Sequence, residues 1–124
     1  MARYVDGFVL PMPKKNVEAY RKIAAKAGKV WREHGALDYR ECVGDDLNHK
    51  GMGGGVSFPR QIKTKPGETV VFSWILYKSK AHRDAVNKKV MKDPRLAAMM
   101  SGEEKMPFDV KRMLYGGFKV IVEA

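Results

Sequence analysis

Apolar residues recur along this chain with two periods. Alternation by two marks a strand, and recurrence at three and four marks a helix. Residues 3–10, RYVDGFVL, are rich in β-branched and aromatic side chains and predict a strand. It should stop at Pro11 and Pro13, because proline donates no ladder hydrogen bond. Val17, Tyr20, Ala24, Ala27 and Trp31 then recur at helical spacing, with Ile23 and Val30 beside them. Lys15, Glu18, Lys22, Lys26, Lys29 and Glu33 fall mostly on the other side, so a helix is predicted over 15–34 with Gly35 ending it. Residues 36–43, ALDYRECV, alternate again and predict a second strand. Residues 69–77 predict a third, and Ser79 is placed to cap a helix from Lys80 to about Lys92. Asp93-Pro94 stops that helix and opens a short turn through Met100, ending near Ser101-Gly102. A last strand is predicted from Lys111 to Val122. Between the second and third strands, residues 44–68 hold too much glycine and proline for a long regular element, leaving room for a short strand or β-ribbon over Val56 to Thr64.

The order is β-α-β-β-α-β, two similar halves in one domain over residues 1–124. Right-handed crossovers fold this order into a four-stranded antiparallel sheet with both helices on one face, the ferredoxin-like α+β arrangement. The third strand puts Val71, Ser73, Ile75 and Tyr77 on one side and Val70, Phe72, Trp74 and Leu76 on the other. Both sides are largely apolar, and two helices cover only one. Four strands of about six residues present about 380 Å² of flat face. That rivals the largest apolar patch of a soluble monomer, about 300–600 Å². A homodimer with its sheets packed face to face is therefore expected, with two-fold symmetry.

Composition narrows the picture. With 124 residues and 44% hydrophobic content the chain is globular, not disordered. No apolar run is long enough to span a membrane. The start, MARYVDGFVLP, does not read as a signal peptide, and Cys42 stands alone, so a reducing cytoplasmic setting is expected. Net charge is +10, which raises a nucleic-acid partner as a candidate. Acids are interleaved with the bases, however, and the densest cluster is only Lys88, Lys89 and Lys92 with Arg95, a pattern that favours a solvated surface.

The candidate chemistry is sparse. Gly51 to Gly55 lead into Val56-Ser57 and not into the Lys-Ser or Lys-Thr that a phosphate-binding loop needs. Asp45, Asp46 and His49 read as a polar turn, so no metal site is expected. Cys42, near Arg40, reads as an inert thiol, and His34 as a charge complementing a helix end. His82, in the first turn of the second helix, is a candidate acid or base if a pocket opens beside it. The most chemical set faces the sheet sides: carboxylates Asp6 and Glu41, with Tyr4, Tyr39, Trp74, Tyr77 and Tyr115 as ligand-binding aromatics. A carboxylate among tyrosines in an apolar pocket holds its proton more tightly and suits proton transfer. The competing structural role pairs Asp6 and Glu41 with Arg or Lys, within one chain or across a dimer.

The blocks YVDGFVLPMPK, AYRKIAAKAGKVWREHGALDYRECVGDD, SFPR, ETVVFSWILYKSKAHRDAVNKKVMKDPR and MPFDVKRMLYGGF cover nearly the whole chain. In them it resembles the bacterial YbaA-like family, a domain of unknown function in the dimeric α+β-barrel superfamily. The resemblance implies the ferredoxin-like fold and a dimeric barrel, and no established activity. Residues 49–55, HKGMGGG, depart from the family pattern in being longer and richer in glycine. No flavin, nicotinamide or haem signature is present, so no cofactor is expected. Two functions remain open. One is binding or transforming a small, partly apolar molecule in a pocket between sheet and helices or at the dimer interface. The other is an RNA-binding or protein-interaction module using the basic surface.

Overall fold

The structure, a computed structural model, describes residues 2–49, 53–100 and 106–124. Its elements are β1 (Tyr4–Pro13), α1 (Val17–Glu33), β2 (Asp38–Val43), α2 (Phe58–Ile62), β3 (Glu68–Tyr77), α3 (Lys80–Met91), α4 (Pro94–Met100) and β4 (Leu114–Lys119). All pairings are antiparallel, in the order β2-β3-β1-β4. Each helical crossover therefore skips one strand, which is the ferredoxin-like topology expected from the element order.

Side chains alternate across the sheet as predicted. Leu10, Met12, Val71, Ile75 and Tyr77 are buried on the face covered by α1, α3 and α4. Val86, Val90 and Leu96 meet them from the helices. α3 begins where Ser79 Oγ accepts the His82 amide hydrogen at 3.1 Å. α1 ends at His34, followed by Gly35 at φ +118°, a left-handed backbone that favours glycine. His34 Nε2 lies 2.7 Å from Asp93 Oδ2, and Arg95 joins Asp93 and Glu33, so the end of α1 is tied to the α3–α4 junction.

Four expectations need correction. β1 runs through Pro11 to Pro13. β4 flanks only Tyr4 to Val9, so the prolines stand where one side of β1 has no partner strand and a missing donor costs nothing. The last strand is shorter than predicted, because Val110–Arg112 form a 3-10 turn capped by the Asp109 side chain. The segment expected as a β-ribbon holds α2 instead, with Ser57 as its cap and Pro59 in the first turn. The third strand's outer face is not wholly free of helix either. α2 sits over the end of the face opposite α1, where Phe58 meets Phe72 edge-on at 6.4 Å and Pro11 and Val70 are buried. The expected end of α4 near Ser101-Gly102, and part of the 49–55 loop, lie outside the described residues.

The rest of that outer face stays open. Phe72 is 44% exposed, Leu114 57% and Phe118 60%. Among the described residues no helix is long and apolar enough to cross a membrane.

Candidate functional site

Glu41 sits mid-strand on β2, opposite Ser73 of β3, on the helix-covered face. Tyr20, in the apolar stripe of α1, donates its hydroxyl to Glu41 Oε2 at 2.7 Å. Tyr39, two residues before Glu41 and hence on the same face, donates to Oε1 at 2.8 Å. Each carboxylate oxygen is thus held by a phenol. The Tyr39 ring fits under α1 because position 28 is glycine, where an added Cβ would lie 2.8 Å from Tyr39 Cδ1. Trp31 leans on the same ring at 6.2 Å, and Phe108 packs edge-on to Tyr20 at 5.7 Å.

Burial raises Glu41 above the usual glutamate range, while the hydroxyls of Tyr20, Tyr39 and Ser73 pull it back. Burial, then the Glu41 charge, pushes both phenols far above their ordinary value, so both stay protonated donors. No cation acts on this carboxylate among the groups that shift it. Hydroxyl dipoles stabilise its ionised form against burial, which makes it a candidate proton acceptor.

The trio stands between two cavities. One, of about 410 Å³, opens between α1 and the β2 edge, with Val17, Gly28 and Val43 in its wall. The other, of about 210 Å³, runs under α1 past Phe8, Leu10, Leu96, Met99 and Met113. Tyr20, Ala24, Tyr39 and Glu41 line both.

Asp6, Tyr4, Tyr77 and His82 form a second group beside α3, and Tyr115 and Trp74 stand apart from both groups. Asp6 is 6% exposed and takes the structural role: Arg83 Nη1 lies 2.7 Å from its Oδ1, and the guanidinium carbon stands 4.8 Å over the Tyr4 ring. Tyr77 joins this second network, donating to Asn87 Oδ1 at 3.2 Å, where Trp31 Nε1 also donates at 3.1 Å. His82 Nδ1 accepts the Lys78 amide hydrogen at 3.0 Å, and burial with Lys78 and Lys89 lowers its pKa. A neutral ring fixed to its own turn is a cap more than a base. Tyr115 is 76% exposed and stacks on Phe8 at 6.3 Å. Trp74 alternates with Ser73 and Ile75 and so belongs to the outer face. Asp45, Asp46 and His49 form a polar turn, and no metal-holding cluster occurs among the described residues. Of the residues the sequence nominated, Glu41 and Tyr39 come together at the cavities, while Asp6, Tyr4, Tyr77 and His82 gather around Arg83 and the start of α3. Tyr20 lies in the apolar stripe of α1 and is not among those candidates, though a tyrosine in a helix's buried stripe needs a partner for its hydroxyl and Glu41 is the carboxylate facing it.

A four-stranded sheet in this order, with helices on one face and a polar trio beneath them, defines a ferredoxin-like α+β protein. The chain aligns over its full length with all of a solved dimeric ferredoxin-like protein from an uncultured marine organism, at TM-score 0.56 and 12% identity. More specifically, the family described as "Protein of unknown function (DUF1428)" matches residues 3–110, and the chain belongs to that family. It is 47% identical over 121 residues to the uncharacterized protein YbaA of Escherichia coli (strain K12), spanning 98% of each chain. The YbaA of Shigella flexneri matches equally well.

Proposed function

We propose that this protein binds a small, partly apolar molecule beside Glu41 and takes a hydrogen bond or a proton from it, without a tightly bound cofactor. The observation that carries this is a half-buried carboxylate held by two phenols, and by no cation, between two cavities. When Glu41 takes a proton from the ligand, its oxygens become weaker acceptors, and a Tyr20 or Tyr39 hydroxyl that donated to them can donate instead to the oxygen left negative on the ligand. Enolisable carbonyl compounds are the class this suits.

The test is a thermal-shift screen of small hydroxy and keto compounds against the wild type and Glu41→Gln. Ligands that bind only the native state raise its melting temperature. Compounds that stabilise the wild type should have little effect on the variant. Equal shifts in both would overturn the proposal.

We further propose that the working unit is a homodimer joined through the outer sheet face. Phe72, Leu114 and Phe118 form an apolar patch there that α2 covers only at one end. The structural neighbour is itself described as dimeric. The rival function, an RNA-binding or protein-interaction module, draws on the exposed Lys88 and Lys89 of α3 and Lys92 just after it. It would show as an affinity for RNA that falls steeply with salt.

A further inference from the structure

Charge is distributed unevenly around the larger cavity. Its wall holds three cations, Arg21, Lys29 and Arg32, all from α1, and one carboxylate, Glu41. Arg21 is partly engaged by Glu18 at 3.4 Å. Lys29 and Arg32 form no ion pair or hydrogen bond with other side chains among the described residues. Nor is their charge used on Glu41, which only hydroxyls and burial act upon.

Spacing puts these cations next to the phenols. Gly28 lies over the Tyr39 ring, Lys29 follows it, and Arg32 is one turn further on the same side. From Gly28 to Arg32 the helix rises about 6 Å. A short apolar body could therefore lie against Ala25, Gly28 and Tyr39 while one end meets the cations and the other meets the trio. The cavity, about 410 Å³, falls within the size range of small-molecule sites.

We propose that the ligand is an organic anion whose acid group is met by Lys29 and Arg32 at the cavity mouth while its apolar body reaches the Tyr20–Glu41–Tyr39 trio. This rests on the proposed role of the Glu41 pocket and adds the ligand's chemical class. Carboxylates and phosphate monoesters share the required headgroup. The guanidinium fork suits either, and the lysine adds a point charge.

The experiment is calorimetric titration of 4-hydroxyphenylalkanoates of increasing chain length, whose hydroxyl can donate to Glu41, with the matching 4-hydroxyphenylalkyl phosphates and neutral methyl esters. Titrations would be run on the wild type, on Lys29→Gln/Arg32→Gln and on Lys22→Gln/Lys26→Gln. The last pair removes the same charge from α1 outside the cavity. At least one anion should bind the wild type about tenfold more tightly than its ester. That advantage should vanish in Lys29→Gln/Arg32→Gln and survive in Lys22→Gln/Lys26→Gln. Which anion binds better identifies the headgroup. Esters that bind as well as the anions, with Glu41→Gln weakening both, would overturn the anion subsite and leave the Glu41 pocket standing. An equal loss in both lysine-bearing variants would also overturn it, as a long-range charge effect. No binding by any member of the series would overturn both proposals.

Discussion

Glu41 accepts from two phenols and forms no ion pair among the described residues, whereas Asp6 meets the Arg83 guanidinium at 2.7 Å. The consequences for pH are specific. Folding raises the Glu41 pKa, so the protein takes up a proton on folding above the ordinary glutamate range. The associated stability is fully present below that range and is lost as pH rises through the raised value. Denaturant unfolding followed from pH 4 to pH 8 should show this decline in the wild type and not in Glu41→Gln. Glu68 has the opposite sign. The Arg112 side chain, donating at 2.7 and 2.9 Å, holds its carboxyl below the usual range, so that contribution disappears on acidification. Gly28→Ala is a second test at this scale. Alanine gains about 1 kcal/mol of helix propensity. Its Cβ, however, would press on a ring fixed by Glu41 and Trp31, and overpacking costs about 1–3 kcal/mol. A net loss of about 1 kcal/mol in urea unfolding is expected, together with weakened ligand response.

At the scale of elements, ion pairs join the helices to the strands beneath them. Arg83 links α3 to β1, and its loss would leave the buried Asp6 carboxylate without its cation. Arg83→Met is expected to destabilise by about 3 kcal/mol in equilibrium unfolding, and Asp6→Asn by clearly less. The elements themselves were legible because their periodicity is strong: the α1 stripe, the Ser79 cap and the alternation of β3 all appear as predicted. What the sequence concealed depended on neighbours. Pro11 reads as a strand stop until the register shows that β4 ends before reaching it. Ser57-Phe58-Pro59 carries a helix-start signal, but the surrounding glycines drowned it. Asp6 and Glu41 look alike as carboxylates in strands, and only the helices packed above them assign one to Arg83 and the other to Tyr20.

For the whole molecule, the proposed dimer rests on the open sheet face. Leu114→Lys with Phe118→Lys would place two charges in a proposed interface centre and should convert the dimer to monomer in sedimentation at micromolar concentration. Thermal unfolding of the monomer should stay cooperative, because neither side chain belongs to the buried core. A wild type that sediments as a monomer would remove the dimer proposal. The small helix α2 adds a further consequence. It occupies the Pro11–Val70 corner, so in the proposed dimer it would act as a wedge that keeps a second sheet from settling squarely on the first and pushes the twin toward the β4 side. Lengthening α2 would then shift the docking offset of the proposed dimer without touching a single strand.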